Sequence, residues 1–337
     1  MEYIELGNTG LKLSRMSMGG IPLQRVPEED LPSIFQELVK QGINFIDTAR
    51  GYTISERQIG KGLKVVGRDK FYLASKTMGR TAEALKQDFA TTMSELDTEL
   101  LDLYQFHNIS SAEDLATVLG PGGAYEAALQ FKEEGKIAHI GVTSHNKDLL
   151  PELIACGKFE TIQFPFNYLE RQGEEQLIKA RKAGIGTLCM KPLAGGALKN
   201  HSQALRFVYE RDEVIQIIIP GMDSVEQIRE NAAITEDSKA LTKEDYALLD
   251  QEAAELGDHF CLRCGYCAPC TVGISIPSNF LMEGYYTRYN LKDWAKERYQ
   301  AMEKNAADCI ECGACEPRCP YNLPIIEMLK EVDRVLS

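Results

Sequence analysis

Eight of the ten cysteines fall in two short blocks after Phe260, while Cys156 and Cys189 stand alone. The second block reads Cys309-Ile-Glu-Cys312-Gly-Ala-Cys315-Glu-Pro-Arg-Cys319-Pro320. Thiolates at every third position let one loop wrap three corners of an iron–sulfur cubane, and the fourth cysteine of such a block goes to a different cluster. The first block, Cys261-Leu-Arg-Cys264-Gly-Tyr-Cys267-Ala-Pro-Cys270, keeps the triplet but brings its fourth cysteine one residue early and has Thr271 where proline is expected. The pattern predicts two [4Fe–4S] clusters, one on Cys261, Cys264, Cys267 and Cys319, the other on Cys309, Cys312, Cys315 and Cys270. Two Cys₄ zinc sites are the alternative, although a zinc site closes with two thiols from each loop and has no use for further cysteines at these spacings. Two neighbouring clusters suit electron transfer, and in a small domain with a thin core they can also act as staples.

The elements that must position these and other reactive residues are of two kinds. From Ser17 to Ala233, short β-prone runs alternate with longer amphipathic segments, the sequence form of repeated βα units. Strands are expected at Met16 to Met18, Asn44 to Asp47, Phe71 to Ser75, Leu101 to Phe106, Ala138 to Val142, Thr161 to Phe164, Gly186 to Met190 and Val214 to Ile219. Helices are expected at Asp30 to Gln41, Ser55 to Val65, Ala82 to Leu96, Ala124 to Glu134, Lys147 to Ala155, Glu174 to Ala183, Gln203 to Glu210 and Ser224 to Ala233. Eight parallel strands, each followed by a helix, in about 230 residues are what a closed (β/α)₈ TIM barrel of the α/β class needs. An open doubly wound sheet is the alternative. Ahead of the barrel, residues 2–14 alternate in polarity around Gly7-Asn8-Thr9-Gly10, a β-hairpin able to plug the barrel bottom. After it, a helix from Thr242 to about Leu256 bridges to a Cys-, Gly- and Pro-rich segment with an aromatic, helical middle and a last helix at Ile325 to Leu336. The expected boundary lies near residue 257: a barrel over 1–257 and a small, mainly helical iron–sulfur domain over 258–337.

Composition narrows the functions. The 337 residues are 44% hydrophobic and 26% charged, near globular averages, with a net charge of −13. No Lys/Arg stripe could neutralise successive phosphates, so nucleic acid and anionic membranes are not expected partners. The longest apolar runs, such as Val214 to Pro220, have strand length, and MEYIELGNTG has no basic n-region or apolar h-region, so a cytoplasmic protein is expected. Neither Gly122-Gly123 nor Gly195-Gly196 is followed by GK[ST], so no P-loop is present. Small molecules remain.

The segment Phe45-Ile46-Asp47-Thr48-Ala49-Arg50-Gly51-Tyr52-Thr53-Ile54-Ser55-Glu56 ends the second barrel strand on the face where barrels carry catalytic residues. It resembles the aldo-keto reductases, whose pattern is an Asp-Thr-Ala turn, a Tyr five residues after the Asp and a Ser-Glu opening the next helix. The resemblance spans roughly residues 1 to 235 and continues with Ala74-Ser75-Lys76-Thr77 and with Asp102-Leu103-Tyr104-Gln105-Phe106-His107. It implies a catalytic tetrad of Asp47, Tyr52, Lys76 and His107. Singly, each has an ordinary reading as a turn residue, a rim aromatic, an ion pair or a core histidine. As a set they make chemical sense: carbonyl reduction needs a proton on oxygen, and a phenol with a pKa near 10 must be adjusted by its neighbours. An ammonium at Lys76, itself held by Asp47, favours phenolate, and His107 can orient the carbonyl.

The same resemblance implies that Thr143, Ser144 and Gln163 contact nicotinamide, and that Gly221, Gln227, Glu230 and Asn231 belong to the segment binding the adenosine phosphate. The chain departs from the family at two places. Met190 stands where a stacking Tyr is usual, in Met190-Lys191-Pro192, which makes Lys191 a pocket cation, and Gly221 and Gln227 stand where Lys or Arg commonly clamp a 2′-phosphate. Either NADP or NAD is therefore expected. The C-terminal cysteine blocks resemble those of a ferredoxin-fused branch of the family, with a ferredoxin-like second domain. Hydride moves two electrons and a cluster one. The leading expectation is an oxidoreductase acting on an aldehyde, ketone or alcohol, its clusters serving a ferredoxin-like redox partner or sensing redox state. The alternatives are clusters that feed a barrel-bound substrate or flavin without nicotinamide, and a non-catalytic electron-carrier or scaffold subunit, which an intact tetrad speaks against.

Overall fold

A computed structural model describes residues 1–236 and 239–337. Grouped by contacts, the chain forms two compact units, one of residues 1–194 and 200–242, the other of 195–199 and 243–337.

The first unit begins with the antiparallel hairpin β1 (Tyr3–Glu5) and β2 (Lys12–Ser14), with Tyr3 opposite Ser14. Its turn takes Gly7 and Gly10 at φ of 52° and 74°, the left-handed region that glycine enters without strain. The apolar face, Leu6, Leu11 and Leu13, packs in one cluster with Phe45, Ala74, Leu103, Leu188 and Ile217. The hairpin therefore plugs the barrel.

Eight strands follow in chain order: β3 (Met18–Gly19), β4 (Phe45–Asp47), β5 (Tyr72–Thr77), β6 (Leu101–Phe106), β7 (Ile137–Thr143), β8 (Thr161–Pro165), β9 (Gly186–Met190) and β10 (Ile217–Ile218). Each pairs in parallel with the next. Parallel bridges from Met16 to Ile218 and from Gly19 to Gly221 join the first strand to the last and close the barrel. The end strands are shorter than expected because their outer residues meet through these isolated bridges. The barrel helices are α1 (Leu31–Lys40), α2 (Ser55–Val66), α3 (Ala82–Leu96), α4 (Ala112–Leu119), α5 (Ala124–Glu133), α6 (Leu150–Ala155), α7 (Glu174–Lys182), α8 (His201–Tyr209) and α9 (Val225–Ala233). Helix α4 was not expected; with only Leu115 and Val118 buried it is too short to print an apolar period.

The second unit holds α10 (Lys243–Leu256), α11 (Ile276–Thr287), α12 (Lys292–Gln300) and α13 (Ile325–Leu336). Phe280, Ala295, Tyr299, Ile325, Leu329, Val332 and Leu336 share a core with Cys267, Cys315 and Cys319. Tyr299 donates to Asp333 Oδ1 at 2.8 Å, and Glu252 on α10 accepts from the Lys199 amide at 2.7 Å. The contact boundary thus falls at Thr242, ahead of α10, whereas the sequence places it behind that helix, near 257; composition changes at the cysteines, but packing changes a helix earlier. Among the described residues no helix is long and apolar enough to cross a membrane.

Candidate functional site

The C-terminal ends of β4, β5 and β6 bring four expected residues together. Asp47 ends β4, and its Oδ2 takes a hydrogen bond from Lys76 Nζ on β5 at 2.6 Å. Lys76 is 1% exposed and also donates to the Thr48 carbonyl at 2.7 Å. Burial pushes the Lys76 ammonium below its ordinary pKa, and Asp47 and then Glu56 act against that. The ammonium lies 5.2 Å from the centre of the Tyr52 ring, and that ring meets the His107 ring edge-on at 5.7 Å. Both rings are half-buried. Tyr52 rides on a short turn whose backbone is pinned by Tyr52 N–H to Ala49 O and Ser55 N–H to Tyr52 O, at 3.0 and 2.8 Å. The Thr48 and Ser55 hydroxyls close its base at 2.8 Å.

Asp47 has two further donors that the sequence reading left out or gave another role. Gln105 Nε2 donates to Oδ1 at 3.1 Å and Gln163 Nε2 to Oδ2 at 3.3 Å. Gln105 was legible in principle: it shares the inward face of β6 with Leu103 and His107 in a period of two, a polar residue where a strand should present apolar ones. The Oε1 atoms of Gln105 and Gln163 are buried with no hydrogen-bond partner among the described residues. A buried unpaired acceptor is costly unless a ligand or water completes it, and the carboxamide of nicotinamide offers such a donor to Gln163.

The other expected cofactor contacts are less uniform. Thr143 and Ser144 are fully buried, but their hydroxyls serve the loop after β6, Thr143 accepting from Asn108 N–H at 2.7 Å and Ser144 donating to Ile109 O at 2.7 Å. Met190 ends β9 half-buried, Lys191 follows at a φ of 56°, and Pro192 is buried. Gly221 lies against Pro22, which a Cβ would meet at 2.7 Å. Gln227 sits in the first turn of α9, where its Oε1 accepts from Asp223 N–H at 2.9 Å; Glu230 is exposed and Asn231 buried. Arg229, a cation near this segment, is forked onto Glu37 at 2.8 and 3.1 Å, and Arg25 pairs with Asp223 at 2.5 Å.

In the second unit, Cys270, Cys309, Cys312 and Cys315 line one small pocket, together with Thr271, Val272, Ile276 and Leu329. Four thiols gathered at one pocket are the donor set that a cubane held at four corners needs. Thr271, which stands where proline is expected, has its hydroxyl 3.1 Å from Cys312 Sγ, and this hydrogen bond holds the exposed Cys312 thiol below its ordinary pKa. The other expected set is deeper. Burial pushes the Cys261 thiol up to about 11, against its bond from the Arg263 N–H, and neighbouring Cys264 and Cys319 add to the rise. The two loops repeat one backbone form: Arg263 and Glu311, each two residues after the first cysteine, take φ of 58° and 54°, and Gly265 and Gly313 take 83° and 72°.

The profile of the Aldo/keto reductase family matches residues 15–203, more than half of the 337-residue chain. The chain belongs to this family. A 4Fe-4S dicluster domain matches residues 260–324, which favours iron–sulfur over zinc in the second unit of this aldo-keto reductase. The barrel is 26% identical to L-galactose dehydrogenase of Arabidopsis thaliana, over 75% of this chain and 94% of that protein. It is also 26% identical to an NADH-specific methylglyoxal reductase of Escherichia coli, over 65% of this chain and 78% of that protein. The holo form of aldo-keto reductase AKR11C1 from Bacillus halodurans superposes with a TM-score of 0.63 at 23% identity, covering 75% of this chain and 96% of that one. As an aldo-keto reductase, the chain carries an intact Asp-Tyr-Lys-His set, with Gln105 as an additional clamp on its aspartate.

Proposed function

We propose that this aldo-keto reductase catalyses reversible hydride transfer between NAD(P)H and a small aldehyde or ketone, with Tyr52 as general acid and base. The observation that carries the reading is the buried Lys76 ammonium, bonded to Asp47 at 2.6 Å and 5.2 Å from the Tyr52 ring. A positive charge beside a phenol favours its ionised form, which suits Tyr52 to pass a proton to and from the carbonyl oxygen. The His107 imidazole, edge-on to that ring, orients the carbonyl oxygen toward the phenol. Gln163 Oε1 accepts from the carboxamide, while its Nε2 stays on Asp47. Bound nicotinamide supplies the two-electron hydride to the carbonyl carbon, and bound [4Fe–4S] clusters supply one-electron exchange. In reduction the carbonyl carbon gains hydride, its oxygen gains the Tyr52 proton, and solvent returns a proton to Tyr52.

At the adenosine end the charge distribution supports NADH over NADPH. Arg229 is engaged by Glu37 and Arg25 by Asp223, and Glu226 adds a carboxylate in the first turn of α9. A 2′-phosphate there meets acids and already-paired cations, whereas a 2′-hydroxyl can donate to an acid. In the second unit, Cys261, Cys264, Cys267 and Cys319 hold one cluster and Cys270, Cys309, Cys312 and Cys315 the other, which exchange electrons with a ferredoxin-like partner.

The test is an anaerobic titration of iron-loaded protein with NADH and then NADPH, with and without a panel of aldehydes and ketones, followed by absorbance and electron paramagnetic resonance. Carbonyl-dependent oxidation of NADH, lost in Tyr52→Phe with the iron absorbance unchanged, is the expected result. A Tyr52→Phe protein that turns over at the wild-type rate removes the mechanism, and cluster reduction by NADH alone would couple the two units electronically.

A further inference from the structure

We propose that Glu56 is a positioning residue for the same site, a second buried carboxylate that fixes the turn carrying Tyr52 and holds Lys76 in its ammonium form. The inference rests on the reading of Tyr52 and Lys76 as an acid and its tuner. Glu56 lies in the first turn of α2 and is fully buried. Its Oε1 accepts from Ser75 Oγ at 2.6 Å and from Thr92 Oγ1 at 2.8 Å, and its Oε2 pairs with Arg50. Arg50 then reaches the turn from two sides: its backbone N–H donates to Lys76 O at 3.0 Å, and its second terminal guanidinium nitrogen to Thr53 O at 3.0 Å. Thr53 has a φ of 43°, an unfavourable value for a β-branched residue that persists only where its surroundings hold it. Tyr52 sits between Arg50 and Thr53, the two residues that the second of these bonds joins.

The second arm is electrostatic. Ser75 and Lys76 are adjacent on β5, so their side chains leave opposite faces of the sheet. Ser75 points outward to Glu56 and Lys76 inward to Asp47. The ammonium is therefore flanked by two buried carboxylates, one bonded and one across the strand, in a medium that screens charge poorly. Around Glu56 stand Arg50 from the turn after β4, Lys76 and Ser75 from β5, Thr92 and Glu95 from α3, and Tyr104 from β6. Burial raises the Glu56 pKa, and Ser75, Arg50 and Thr92 pull it back. The bonds from Arg50, Ser75 and Thr92 are those that favour the charged carboxylate.

A buried Arg–Glu pair can be merely structural, and the sign of its effect separates the two cases. Removing the Glu56 charge makes the Lys76 proton easier to lose, whereas removing the Arg50 charge makes it harder. The experiment is an NMR titration of the full iron-loaded chain labelled with ¹³Cε-lysine, the Lys76 resonance being assigned with Lys76→Met. Glu56→Gln is expected to lower the Lys76 midpoint by about one pH unit and Arg50→Met to raise it by a similar amount. The alkaline limb of kcat/KM for carbonyl reduction should move in the same two directions. A midpoint that stays put in both variants overturns the proposal. Should Glu56→Gln fail to fold, Arg50→Met decides alone, since its side chain is 21% exposed: a raised midpoint supports the proposal and an unmoved one overturns it. Opposite midpoint shifts in a protein that reduces no carbonyl leave the Glu56 role standing and remove the proposed reaction. Carbonyl reduction with unmoved midpoints does the reverse.

Discussion

The barrel site and the cysteine cavity differ in what holds them. Around Asp47 the protein supplies every partner itself: the Lys76 ammonium and two glutamine amides satisfy one carboxylate, and each donor comes from a different strand. Cys270, Cys309, Cys312 and Cys315 instead converge on one pocket as four like donors, which as thiolates all carry negative charge. The first site is preorganised by hydrogen bonds made on folding. In the second, binding and folding share one free energy, because thiolates gathered without iron repel one another. The barrel site should therefore be indifferent to loss of iron and fail on loss of a single donor, whereas the cysteine site should lose its iron with a single donor and leave the barrel chemistry untouched.

The sharpest break in that comparison is Tyr52→Phe. It deletes one hydroxyl and should lower kcat for carbonyl reduction by about a thousandfold, with circular dichroism and iron content unchanged. Next comes Gln105→Leu, which keeps the volume but strips a hydrogen bond from the Asp47 carboxylate. Loss of a bond to a charged group should slow reduction by about tenfold, and nucleotide Kd, read by fluorescence, should hardly change because Gln163 keeps its own contacts. A Gln105→Leu enzyme with full kcat would show that Asp47 needs only Lys76.

The sequence disclosed these two regions unequally. The eight barrel strands and the plug were readable because apolar periods are local signals; Asp47, Tyr52, Lys76 and His107 were picked out through the resemblance to a family motif, and the structure brings them together at neighbouring strand ends. Gln105 passed unnoticed because its role depends on a carboxylate from another strand, and Glu56 read as a helix opening because nothing near it in sequence announces Ser75 and Thr92 as its donors. The cysteine loops were readable as spacing, yet not the contact of Thr271, which stands where proline is expected and lies beside Cys312 Sγ. Arg229, which could have replaced the absent phosphate clamp, is tied to Glu37 on a helix some 190 residues earlier in the chain, a pairing that only barrel closure creates.

The converse break belongs to the cysteine unit. Cys312 is exposed and lies outside the buried core of that unit, so Cys312→Ala should leave the helices in place and cost about half of the bound iron, measured by chelator assay. Reduction of a carbonyl by NADH should persist in this variant. Full iron retention would dissolve the assigned ligand sets.

The smallest effect tests whether the barrel is as self-sufficient as the comparison requires. Glu37 on α1 and Arg229 on α9 join the first and last barrel helices, and the Arg229 bond holds the Glu37 carboxyl down to about 2 from 4.5. A carboxyl with a depressed folded pKa contributes stability that is complete above its unfolded value and fades as the pH falls through the folded one. The window therefore runs from about pH 4.5 down to about pH 2. Because the Arg229 side chain is 53% exposed, the contribution is discounted to about 1 kcal/mol at neutral pH. Glu37→Gln should lower barrel stability by that amount in urea at pH 7, and the gap from wild type should close as the pH approaches 2. A gap that persists at low pH would assign the loss to packing between α1 and α9. Its disappearance would mean that charge helps to close this barrel at the helices, outside the ring of strands.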